Sequence, residues 1–150
     1  MLCGDERIVP LLPIPRDRLI FQPYVQWFDW PRVLARFDIG IAPLAGRYDA
    51  SRSQIKSMEF GVMAIPFVAT GSEPYKDWMD VGCGVYVMDG EREDSAKRAD
   101  EWEAKLIDVI DNYGYHKAEM DKHFEFAMSW DIDRNVPNLV ATYEDIIAHG

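Results

Sequence analysis

The sequence predicts an α/β fold, a Rossmann-like parallel sheet flanked by helices, with a helical C-terminal tail. Three observations predict it. Short apolar runs alternate with helical patterns at close spacing through the first ninety or so residues, as in a mainly parallel sheet. Two of those runs, Asp38–Leu44 and Ile65–Thr70, are apolar at nearly every position, as strands buried on both faces are. From Asp94 onward the pattern is helical throughout.

In chain order, "MLCGDERIV" reads as a short strand and the turn after it, and "PLLPIPRDR" as a proline-punctuated connection. "RLIFQPYV" reads as a strand. "DWPRVLARF" reads as a short helix, with Asp29 as N-cap and Pro31 early, where its missing N–H costs nothing. "DIGIAPL" is the next strand, "AGRYDAS" a loop, and a helix follows from Ser51 or Arg52 to Met63. "IPFVAT" is a strand, "GSEP" a loop, "YKDWMD" a short helix, "VGCG" a turn and "VYVMD" a further strand. In "SAKRADEWEAKLIDVIDNY", Trp102, Leu106, Val109 and Ile110 form one apolar stripe, and Gly114 is expected to end the helix. "HKAEMDKHFEFAMSW" and "DRNVPNLVATYEDIIAH" complete the helical tail. No repeat, low-complexity segment or linker divides the chain, so residues 1–150 are expected to form one domain.

The composition narrows the function classes. The 150 residues are 48% hydrophobic and 28% charged, ordinary for a globular protein, with a net charge of −10. That charge argues against nucleic-acid binding, which needs a basic stripe. It leaves room for an anionic small ligand, because Arg47, Arg52 and Lys56 outnumber Asp49 between Gly46 and Ser57. Cys3 and Cys83 are too few for a disulfide framework and lie in no metal-type spacing, so they read as reduced thiols. No apolar run reaches a membrane span, and the proline-broken N-terminal stretch does not resemble a signal peptide. The expected location is the cytoplasm, with membrane association at most peripheral. His116, His123 and His149 make no metal site and read as surface or helix-packing residues. "DGERED" reads as a solvated loop. Neither a Gly-x-Gly-x-x-Gly nor a P-loop pattern is present.

The candidate site is "SRSQIKSMEF", Ser51 to Phe60. In an open parallel sheet, ligands bind beyond the carboxyl ends of the strands, where helices begin with free N–H groups and a partial positive charge. Ile55, Met58 and Val62 share one face of this helix, and Ser53, Lys56 and Glu59 follow at steps of three on a neighbouring one. The polar stripe ends after two turns, as it would on a helix that meets a ligand only at its start. Ser53 offers a hydroxyl and a backbone N–H to a phosphate, Lys56 a point charge, and Glu59 an acceptor for the vicinal hydroxyls of a ribose. The plainer alternative is a serine-capped helix with an intrahelical Lys56–Glu59 contact.

"DIGIAPL…DASRSQIKSMEFGVMAIPFVAT" resembles the donor-binding motif of GT-B glycosyltransferases, in the large retaining family called group 1 or family 4. Asp38, Pro43, Leu44, Asp49, Arg52, Ser53, Lys56, Glu59, Pro66, Val68 and Ala69 match that motif, and "FAMSWDIDRNVPNLVATYEDI" is similar to the family's ending. The resemblance implies retaining transfer of a sugar from a nucleotide diphosphate sugar, without a bound metal, to an acceptor such as a growing glycan or a lipid-linked saccharide. It implies that Glu59 binds the ribose and that Ser53 and Lys56 face the diphosphate. Ser51 and Arg52 would stand beside them, and the loops carrying Gly46, Arg47 and Asp49 and carrying Gly71 and Ser72 would face phosphates and sugar. Ser51 stands where many members carry a second Glu. The chain corresponds to the C-terminal, donor-binding half of such an enzyme, without the acceptor domain and the first strands. No catalytic residue is assigned. The other expectation is a non-catalytic interaction or oligomerisation module derived from that fold, pairing with a second chain or with itself at the sheet edge.

Overall fold

A computed structural model of the chain describes residues 1–44, 51–88 and 95–149, and gives no side-chain placement for residues 2–4 and 95–97. The chain forms two compact units, Met1–Phe37 and Asp38–Gly150.

In the first unit, strands β1 (Leu2–Gly4) and β2 (Phe21–Pro23) pair in parallel. The proline-rich segment between them carries two 3-10 turns, Glu6–Leu11 and Arg16–Arg18. Asp5 caps the first, accepting from the Arg7 N–H at 2.9 Å. The unit ends with helix α1 (Trp30–Leu34), which buries Val33 and Leu34. Pro31 sits in its first turn and Asp29 at the N-cap position as expected, but the Asp29 side chain makes no capping hydrogen bond. A 3-10 turn over Trp27–Asp29 runs straight into α1, leaving Asp29 in helical dihedrals, and its carboxylate instead meets Arg32 at 3.2 Å.

The second unit is a parallel sheet of three strands in the order β3-β4-β5: β3 (Gly40–Ala42), β4 (Phe67–Gly71) and β5 (Val85–Met88). Helices α2 (Ile55–Val62) and α3 (Lys76–Asp80) make the two crossovers. Helices α4 (Ser95–Asp111), α5 (Tyr113–Ala118), α6 (Met120–Ser129) and α7 (Ile132–His149) follow. The α/β expectation therefore holds, as three parallel strands flanked by helices with a helical C-terminus. Among the described residues no helix is long and apolar enough to cross a membrane.

Every residue of central strand β4 is buried, and its side chains alternate between two cores. On one face Phe67 meets the rings of Phe60 (α2), Trp78 (α3), Tyr86 (β5) and His123 (α6). On the other, Val68 packs with Val87 and with Val109 of α4, bordered by Trp102 and Leu106. Trp102, Leu106 and Val109 thus face inward as read from the sequence, whereas Ile110 is 59% exposed. It lies just past the edge of the stripe, one residue beyond Val109.

Three helix expectations need correction. First, α2 starts at Ile55 rather than at Ser51 or Arg52, and its buried residues are Ser57, Phe60 and Gly61. Ile55 is 54% exposed and Val62 43%. Beside Phe60, which packs on Phe67, the buried positions Ser57 and Gly61 are small; at Gly61 α6 and Trp78 come very close, since a Cβ there would stand 2.5 Å from the Trp78 ring and 3.1 Å from Ala127 Cβ. Second, α4 ends at Asp111, before Gly114. The chain turns at Asn112, whose carbonyl accepts from the N–H groups of Tyr115 and His116, while Gly114 lies inside α5. Third, the segment expected as one helix through Trp130 is two, α5 and α6, broken at Glu119.

The end of α2 is a Schellman turn built without glycine. Ile65 N–H donates to Phe60 O at 2.9 Å and Ala64 N–H to Gly61 O at 3.0 Å, with Ala64 at φ 51°. Lys117 Nζ donates to the exposed Ala64 carbonyl at 2.5 Å, tying α5 to this turn.

Gly61 and Gly114 make a test of this packing. Gly61→Ala should destabilise the protein by about 1–3 kcal/mol through overpacking against Trp78. Gly114→Ala, where an added Cβ meets nothing within 4 Å, should be neutral or stabilising by up to about 1 kcal/mol. Urea unfolding of the two variants beside the parent would measure both, and equal effects would contradict the packing described.

Candidate functional site

The carboxyl ends of β3, β4 and β5 form the edge at which open parallel sheets in general bind ligands. Just past β3, the chain is fastened to β4 by Thr70. Its Oγ1 accepts from the Leu44 N–H at 2.8 Å and donates to the Leu44 carbonyl at 3.2 Å. Between this edge and the start of α4 lies a cleft of about 320 Å³, bordered by Leu44, Thr70, Val87, Met88, Arg98 and Trp102. It is an apolar recess with one guanidinium at its border, a composition typical of small-ligand sites. Glu101 of α4 accepts from the Met88 N–H at 3.3 Å, which closes the end of β5.

α2 starts at the same edge, since it runs back from the end of β3 to the start of β4. Ser51, Arg52 and Ser53 are exposed and precede the helix rather than forming its first turn. Gln54 occupies the cap position without a side-chain capping bond, and its carbonyl accepts from Met58 N–H at 3.1 Å and from the buried Ser57 hydroxyl at 2.7 Å. The serine near the helix start that bonds the backbone is therefore Ser57, not Ser53. The Gln54 side-chain oxygen is buried and finds no hydrogen-bond partner among the described residues.

Lys56 and Glu59 are brought together. Lys56 Nζ donates to Glu59 Oε2 at 2.8 Å, with the lysine side chain 48% exposed and the glutamate 20%. Gly71 closes β4 and is buried, where a Cβ would stand 3.1 Å from Met88 Sδ. Ser72 is buried, and its N–H donates to the Thr70 carbonyl at 2.9 Å. Both sit at the carboxyl end of β4, beside Thr70. Gly46, Arg47, Asp49 and the "DGERED" segment lie outside the described residues. Among the described residues no group of three or more His, Cys, Asp or Glu side chains is placed to hold a metal.

Thr70, Arg98 and Trp102 are the border residues that sequence reasoning missed. Thr70 is one threonine at the end of an apolar run, and Arg98 stands among the charges of "SAKRADEWEAK". Only the four-residue step from Arg98 to Trp102 sets both on one side of α4.

A second, smaller cavity of about 180 Å³ lies at the opposite, amino end of the sheet, bordered by Pro66, Phe67, Gly84, His116 and His123. His123 is 5% exposed, and its Nε2 accepts from the Gly84 N–H at 3.2 Å. That acceptor role assigns the ring proton to Nδ1, which is buried and has no partner among the described residues. Burial, with Lys122 and His116 adding like charge, pushes the His123 pKa down to about 4. Nearby Cys83 is buried and free, and burial raises its pKa. Tyr86 donates its hydroxyl to the Cys83 carbonyl at 2.6 Å, and burial raises the phenol pKa well above its usual range.

No family model matches this chain, and neither does any curated protein or solved structure.

The His123 environment sets a pH dependence. A folded pKa below the ordinary 6.5 means that the unfolded chain binds a proton first, so this contribution is complete above about pH 6.5 and is lost as pH falls toward 4. Within that window the parent should lose up to about 1.4 kcal/mol of stability per pH unit more than His123→Gln. Denaturant unfolding at several pH values would show parallel curves for the two proteins if His123 were not held neutral.

Proposed function

We propose that this chain is the donor-binding part of a retaining GT-B glycosyltransferase, holding a nucleotide diphosphate sugar at the carboxyl edge of β3–β5. The observation that carries the reading is the succession of β3 and α2, which sets Lys56 and Glu59 in the first two turns of α2 at that edge. The residue pattern shared with the group 1 glycosyltransferases supports it, as does the cleft beside Thr70 and Arg98.

The Lys56–Glu59 ion pair is compatible with this role. A partly exposed pair of this spacing contributes only a few tenths of a kcal/mol. A charge-assisted hydrogen bond to a phosphate is worth about 1.5–3 kcal/mol, so a diphosphate can draw Lys56 away from Glu59. Glu59, then relieved of the ammonium, accepts hydrogen bonds from the ribose hydroxyls. When the bond between the anomeric carbon and the diphosphate oxygen breaks, the leaving group gains negative charge, and Lys56 stabilises it. Gly71 and Ser72, at the end of β4, border the space beside the sugar. The acceptor and the groups that position it would come from a part of the enzyme other than this unit. The location of such a protein would be the cytoplasm, where nucleotide sugars are used.

Calorimetric titration with UDP, GDP and ADP, and with their sugar conjugates, tests the reading. One nucleotide should bind selectively. Lys56→Ala and Glu59→Ala should each weaken it at least about tenfold, the equivalent of about 1.4 kcal/mol, while leaving thermal stability near that of the parent. Absence of binding by every nucleotide, or binding indifferent to both substitutions, would rule the reading out.

A further inference from the structure

The turn between α3 and β5, residues 81–84, is fastened to α6 by two side chains. His123 Nε2 accepts from the Gly84 N–H at 3.2 Å, and Lys122 Nζ donates to the Gly82 carbonyl at 3.3 Å. Cys83, between the two anchored glycines, is fully buried. The His123 ring stands edge to face with Phe67 and Trp78, at centroid distances of 5.8 Å and 6.5 Å. All of these residues belong to the second unit. Among the described residues β5, the strand that the turn leads into, pairs with β4 alone.

The bond to Gly84 exists for neutral imidazole only. Nδ1 already carries the ring hydrogen, so a further proton goes to Nε2. Nε2–H and the Gly84 N–H are then two donors facing each other, and the partly buried amide loses its acceptor. The surroundings do not welcome the charge. Lys122, on the same helix, and His116 of α5 add charge of the same sign. Cys83 and Tyr86, on the side of β5, are kept neutral by burial. Glu119, the one carboxylate among the described residues that border the neighbouring cavity, is exposed, where water screens it. We propose that protonation of His123 releases the turn over residues 81–84 from α6 and uncovers Cys83 while the helices stay folded, an acid-operated local opening. The opening is local because the other contacts do not pass through the turn. Val68, Val87 and Val109 pack on the opposite face of the sheet, and α2 meets α6 separately, at Gly61 and Ala127. The turn lies at the amino end of the strands, away from the proposed nucleotide edge, so the inference stands whether or not a nucleotide binds.

Thiol reactivity tests it. Cys3→Ser leaves Cys83 as the one thiol of the sequence and serves as the parent. Its rate of exchange with a dipyridyl disulfide is compared with that of the same chain unfolded in urea at the same pH, which cancels the reagent's own pH dependence. The protection of Cys83 so measured should fall by up to about tenfold per pH unit between about pH 6.5 and 4, with the helical circular dichroism retained. His123→Gln, whose side-chain carbonyl accepts from Gly84 at every pH, should make the protection independent of pH, and His116→Gln should leave the dependence in place. Protection that is equal at about pH 7 and about pH 5 would overturn the proposal, as would an acid loss that survives His123→Gln or disappears in His116→Gln. The parent decides even where a variant does not fold. A loss that begins only below about pH 5 belongs to carboxylates and overturns the assignment to His123. A loss with the urea dependence of global unfolding overturns the local opening.

Discussion

The second unit is organised around one ring, Phe67. It lies at the first position of the central strand, with ring centroids of Phe60, Trp78 and His123 each at 5.8 Å and Tyr86 at 6.2 Å. Through those contacts it joins α2, α3, β5 and α6, and Trp78 passes the contact on to Phe126 at 4.9 Å. Aromatic pairs of this kind add about 0.5–1.5 kcal/mol each beyond the area they bury. The arrangement needs room, and three glycines supply it. A Cβ on Gly40 would enter the Phe60 ring, one on Gly61 the Trp78 ring, and one on Gly84 the Phe67 ring, each at 2.5–2.6 Å. Gly84 also needs its left-handed φ of 88° to bring β5 beside β4 while its N–H reaches His123.

Strands and helices were legible where the apolar pattern is continuous. β4 is buried at all five positions because "FVATG" carries nothing large and polar, and α4 turns Trp102, Leu106 and Val109 inward at helical spacing. The packing of α2 was legible only in part: its closest approach is set by what is absent from Gly61, and hydrophobicity gives such a position no weight. The stop of α4 before Asn112 and the break at Glu119 fall at residues that no glycine or proline marks. Gly114, the residue that looks like a stop, has space all round it and serves no turn.

The candidate site was legible in part. Lys56 and Glu59 stand out because their three-residue step survives any small error in helix phase, and the structure places them 2.8 Å apart. Ser53 depended on the helix starting at Ser51 or Arg52, three or four residues before it does. Thr70 could not be found from sequence. Its value lies in holding Leu44, 26 residues away, through two hydrogen bonds, and a single hydroxyl in an apolar run carries no signature of that.

The placement of packing and site also has a logic. The aromatic cluster is concentrated toward the starts of β4 and β5, where Phe67 and Gly84 lie, and the cleft opens at their ends, beside Thr70 and Met88. With the large rings of the cluster gathered at the amino end, the carboxyl edge keeps an open cleft, bordered by Leu44, Met88, Arg98 and Trp102. The charge distribution sharpens this. With a net charge of −10, the far field of the chain repels a diphosphate. For the proposed site, attraction would have to arise within a Debye length, about 8–10 Å in ordinary buffer, from groups such as Lys56 and Arg98 at the edge itself. Added salt screens the long-range repulsion more than it screens close ion contacts. Binding of an anion at this edge would consequently weaken less with ionic strength than binding to a basic protein does, and the specificity would rest on contact geometry rather than on steering.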